Sequence, residues 1–185
     1  LMQPKSLSTL SMEQQHPSTP EVDSVKPAAA KTETSTLSSG VKVIAATNGG
    51  TAPAIGLCLG LGSRNETSPA HYGSALLMKH LAFTHTTDRS ALRIARDLED
   101  EGAYGGAVAG REQVMYTVSF PPAALGVAVE AVGESVLSRE LEDWDLNEAK
   151  EVASRELAQY SSSPLMVLNE LVHEAAYGED SALGH

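Results

Sequence analysis

Basic residues, sulfur and aromatic rings are all scarce in this sequence, and each shortage closes off a class of protein. Lysine and arginine total 13 against 24 aspartates and glutamates, a net charge of −11. A nucleic-acid binder needs a basic surface to neutralise phosphates, so that class is excluded. Attachment to anionic lipid is disfavoured for the same reason. With Cys58 the single cysteine, no intrachain disulfide framework and no thiolate zinc cluster can form. A reducing compartment, or simply a non-secreted protein, fits that usage. No apolar run approaches the ~18 residues of a spanning helix, so no direct membrane span is expected. Aromatics make up 4% of residues and hydrophobics 42%, so the core must be built from Ala, Val and Leu. At 185 residues the chain allows one ordinary domain and a tail.

Residues 1–40 are rich in Ser, Thr and Pro and contain no arginine. Such a segment buries too little apolar surface to offset its chain entropy. It reads as an extended arm or disordered linker, and not itself as an organelle-targeting presequence. Order is expected from Val41, with a first strand ending at the turn signal Asn48-Gly49-Gly50. In a second strand Ile55, Leu57, Leu59 and Leu61 alternate with Gly56, Cys58, Gly60 and Gly62. The glycine face suggests close approach by a helix or neighbouring chain, with Cys58 a small buried hydrophobe on it. A helix is expected over 72–84 and another from a Ser90 cap to a Gly102 stop, with Ala91, Ile94, Ala95 and Leu98 inward. Residues 103–109 read as a small-residue strand, and Arg111 to Phe120 as a strand with Val114, Tyr116, Val118 and Phe120 on one face. Pro121-Pro122 then opens a helix with Leu125, Val129, Val132 and Val136 at core spacing. Asp143 is placed as the cap of the next helix, which turns Ala149, Ala153, Glu156 and Tyr160 inward. The acidic run Glu140 to Asp145 is read as a solvated turn. Ser161 to Ser163 are read as the cap of a last helix with Leu168, Leu171, Val172 and Ala175 inward. Strands followed by a run of helices make an α+β fold, a mostly antiparallel sheet packed against helices.

The stretch Gly73 to Phe83 carries the functional signal. As a helix it places Leu76, Lys79 and His80 on one face. These are the positions of an H-x-x-E-H metallopeptidase signature, written here L-L-M-K-H. A catalytic zinc takes three protein ligands and a water, with a nearby carboxylate as general base. Leucine cannot coordinate, and an ammonium neither accepts a proton at neutral pH nor tolerates a neighbouring dication. His80 and Glu156 remain, one ligand short. His85 does not repair the loss, because at i+5 from His80 it lies well around the helix. No phosphate loop and no G-x-S-x-G elbow occurs.

Five pieces in order now point to a family: the loop Gly62-Ser63-Arg64-Asn65-Glu66, the degenerate helix at 73–83, R-E-Q-V-M-Y at 111–116, Trp144 with R-E at 155–156, and N-E-L-V-H-E-A-A-Y at 169–177. From about Gly40 to His185 the chain resembles the pitrilysin-like mitochondrial processing peptidases and their relatives, the core subunits of ubiquinol–cytochrome c reductase. Active members carry H-F-L-E-H. By that resemblance Leu76 replaces the first zinc histidine and Lys79 the catalytic glutamate, while His80 and Glu156 match the remaining ligands.

The resemblance implies a non-catalytic core, or scaffold, subunit of respiratory complex III, most like the second core protein, on the matrix side of the mitochondrial inner membrane. The other core subunit and the membrane subunits would be its partners, and no cofactor would be its own. The alternative is the substrate-recognition, alpha-type subunit of the processing peptidase, whose arginine-rich presequence ligands suit an acidic surface. An active zinc peptidase with an unusual site is a third possibility. Family subunits hold two tandem domains, so residues 41–185 read as the N-terminal part of one domain, completed by another chain or segment. Lys79 is expected to contact Glu156 in the place of the metal, because an unpaired buried carboxylate is costly.

Overall fold

The computed structural model describes residues 31–47, 50, 52–179 and 181–184. They fall in two compact units that divide between Gly50 and Thr51. The first is a hairpin of β1 (Lys31–Thr36) antiparallel to β2 (Lys42–Thr47), with Thr34 opposite Ile44. Alternating threonines give β1 its strand preference, and Gly40 turns the chain with a φ of 87°. Of the extended arm or disordered linker expected to residue 40, residues 31–36 form a paired strand, in which β-branched residues serve although large apolar ones are missing. The rest of that arm, and Asn48-Gly49 of the turn signal, lie outside the described residues.

The second unit is a three-stranded antiparallel sheet in the order β3 (Ala54–Leu59), β5 (Val114–Ser119), β4 (Tyr104–Ala109). Between β3 and β4 come α1 (Ser74–His80) and α2 (Ala91–Asp100); after β5 follow α3 (Leu125–Leu137), α4 (Asp143–Ser162) and α5 (Pro164–Tyr177). Period-two alternation decides the sheet. Val114, Tyr116 and Val118 are wholly buried on the central strand, opposite Leu59, Leu57 and Ile55 and opposite Ala109, Ala107 and Gly105. Each such side chain contributes roughly 1.5–3 kcal/mol by leaving water. The other face, with Gly56 and Cys58, is exposed. No helix lies on it among the described residues, so Cys58 is not the buried hydrophobe expected. Its thiol donates instead to Gln113 Oε1 at 3.2 Å.

Small side chains set how closely helices approach the buried face. α3 turns Ala128, Ala131, Val132 and Ser135 inward, while Leu125 and Val129 are about half exposed. The expected ridge was thus rotated, because alanines permit the closer packing. At Gly105 a Cβ would stand 3.1 Å from the Phe83 ring, and that ring meets Tyr116 edge-on at 6.4 Å. α1 ends at His80, earlier than the expected residue 84, and Phe83 follows in a left-handed turn with a φ of 58°. Arg89 binds α2 to α3 through Asp97 at 2.9 Å and Glu134 at 2.8 Å. Burial alone would lower its pKa, but these carboxylates raise it overall. α5 was expected to bury Leu168, Leu171 and Val172; all three are more than half exposed, since among the described residues α5 packs chiefly on α4.

Candidate functional site

The site is built where α1 crosses α4. α1 is only seven residues long, too short to be stable on its own, and its N-terminus is held from outside. Gly73 enters with a φ of 86°. The carboxylate of Glu66, itself 5% exposed, accepts hydrogen bonds from the Gly73 and Ala75 N–H groups, both at 2.7 Å. A carboxylate at that end also suits the helix dipole. Sequence reasoning placed Glu66 in a loop and missed this role; the signal available was the spacing from an acidic residue to a glycine just ahead of an apolar helix.

α4 brings Glu156 to the same point. Its small residues Ala149 and Ala153 are buried and let the helices come close, which leaves Glu156 facing α1 one turn on. Lys79 Nζ donates to both carboxylate oxygens of Glu156, at 2.5 and 2.6 Å. His80 Nε2 lies 2.7 Å from Oε2. These side chains are 15–20% exposed. Leu76 stands beside Lys79 and Glu156 on the wall of an adjoining cleft. The structure thus gathers Leu76, Lys79, His80 and Glu156 in one place, with the lysine–carboxylate contact expected from the sequence. Burial pushes the Glu156 carboxyl up, but hydrogen bonds from Lys79 and His80, and their charge, hold it below the ordinary value.

A zinc ion does not fit this donor set. Leu76 offers no lone pair, the Lys79 ammonium already occupies both oxygens of Glu156, and a dication would be repelled by it. Among the described residues no cluster of three or more His, Cys, Asp or Glu could hold a metal. Three groups on α4 and at its ends were misread in the sequence. Asp145 is buried, not solvated, and binds His85 Nδ1 at 2.7 Å. Asp143 begins α4 without a capping hydrogen bond; the hydroxyls of Ser161 and Ser162 bond back to Leu157 and Gln159, and Ser163 makes no side-chain cap. No helix among the described residues is long and apolar enough to cross a membrane.

Comparison with known proteins accords with this architecture. The alpha subunit of mitochondrial-processing peptidase from Solanum tuberosum is 38% identical over 86% of the chain, and the chain spans 31% of that relative. A probable alpha-1 subunit from Arabidopsis thaliana is 32% identical over 85% of the chain. Cytochrome b-c1 complex subunit 1 from Homo sapiens is 28% identical over 80%. The alpha subunits are thus the more similar, which favours the alternative reading of the sequence over the complex III scaffold. In fold, a protease from Helicobacter pylori superposes with a TM-score of 0.66 at 23% identity, over 75% of this chain and 34% of that one. The family model for insulinase (peptidase family M16) matches residues 42–184. On that match this chain belongs to the M16 peptidase family.

Proposed function

We propose that this chain forms part of a non-catalytic, substrate-recognition subunit of a processing peptidase on the mitochondrial matrix side, binding basic presequences for a catalytic partner subunit to cleave. The observation that carries this reading is the Lys79–Glu156 pair. It spends the family's distal carboxylate on an internal ammonium, beside a leucine that cannot coordinate. The 38% identity to an alpha subunit of such a peptidase supports it, and the net charge of −11 suits a cationic ligand.

The assembly purified with its natural partners should bind a basic presequence peptide in an anisotropy titration, with affinity falling steadily as salt rises. Peptide hydrolysis that is abolished by His80→Ala in this chain alone would refute the non-catalytic reading. A core subunit of complex III is the second reading, favoured by the 28% identity to cytochrome b-c1 complex subunit 1. Comigration of the chain with cytochromes on a native gel, and no presequence binding, would select it.

A further inference from the structure

α3 is apolar almost all the way round, with Glu130, Glu134 and Ser135 its polar side chains between Leu125 and Leu137. A helix of that composition belongs between two layers and not at a surface. One layer is present: Ala128, Ala131, Val132 and Ser135 are buried where α3 packs on β3 and β5. The opposite side is bare among the described residues. Leu125 is 52% exposed, Val129 47% and Leu137 85%. Gly126 and Gly133, one heptad apart, lie on that outer side, and a Cβ on either would meet nothing within 4 Å. Alanine would fit at Gly133 and would favour the helix, so packing within this chain gives no reason for the glycine. Close approach by a second backbone from outside does.

The polar side chains narrow what approaches. Glu134 is held by Arg89, and Ser135 Oγ donates to Ala131 O at 2.7 Å. Glu130 is exposed, shares the outer side with the two glycines, and forms no ion pair among the described residues. Pairing α3 with a second copy across a twofold axis would set one Glu130 carboxylate against the other near the middle of the contact, where like charges oppose docking.

We propose that the outer side of α3 docks a helix of a different polypeptide, apolar where it crosses Gly126 and Gly133 and carrying a lysine or arginine against Glu130. The glycines let the two backbones come close, and Leu125, Val129 and Leu137 then leave water together. The cation supplies the partner Glu130 lacks and selects against self-association. The Lys79–Glu156 pair plays no part, so the proposal stands under either reading of function.

The test places a photoreactive benzophenone amino acid at Val129 of the chain in its native assembly. Irradiation should join it to a different polypeptide, at an apolar helical segment bearing a lysine or arginine, as mass spectrometry of the linked peptides would show. Glu130→Lys should lower the adduct yield about tenfold or more. Gly133→Ala separates docking from folding: it should raise the melting temperature of the chain while lowering the yield several-fold. No adduct, an adduct within this chain or between two copies of it, or a yield unchanged by either substitution overturns the proposal.

Discussion

A single side chain decides what the α1–α4 junction can do. Lys79 supplies the positive charge Glu156 needs, so Glu156→Gln leaves the ammonium with a weakened partner in a half-closed site. The loss should be about 1–3 kcal/mol, read from urea unfolding. Lys79→Met should cost less in the Glu156→Gln background than alone, because the two act as a unit. The pH dependence has a definite sign. The folded carboxyl of Glu156 titrates below its ordinary value of 4.5. Its contribution is present above that value and is lost as pH falls through the lower, folded pKa. The melting-temperature gap between wild type and Glu156→Gln should therefore narrow on acidification below about pH 4.5. Gly105→Ala tests the packing beneath: its new methyl meets the Phe83 ring at 3.1 Å, and overpacking of that kind costs about 1–3 kcal/mol.

Among the elements, those with regular alternation were the easiest to read from sequence. Val114, Tyr116, Val118 and Phe120 alternate without a break; β5 buries the first three and Phe120 is buried just beyond its end. Ser90 gave the start of α2, and its side chain indeed accepts from the Arg93 N–H. α3 was misread because hydrophobicity scores favour Leu125 and Val129, whereas contact with the sheet selected the alanines. α5 reads as a half-buried helix, yet its apolar face has no cover among the described residues. Leu168→Ser with Val172→Ser should then change stability by less than about 0.5 kcal/mol each. A larger drop in melting temperature of the isolated chain would show those residues packed. The connection from α1 to α2 is tied to α4 by a contact between residues 60 apart, for which no local pattern exists. His85→Ala would strand the buried Asp145 carboxylate and should cost about 1–3 kcal/mol in denaturant titration.

Over the whole molecule, the legible part of the site was the part written as a signature. Leu76, Lys79, His80 and Glu156 could be aligned because the family fixes their order, and charge complementarity then called for the pair. Glu66 escaped because its role is set by a loop meeting a helix end in space. Excess acid acts at this scale too. With 24 acidic against 13 basic residues, association with a cationic peptide should slow markedly between about 50 and 200 mM salt, while dissociation changes little, as stopped-flow traces would show.

The clasp between α1 and α4 is encoded in the polypeptide and needs nothing collected from the surroundings. A metal-bridged protein is finished only when its ion arrives, and a chelator can undo it. Here a tethered amine completes the junction at synthesis, so this part of the fold closes even where free zinc is scarce.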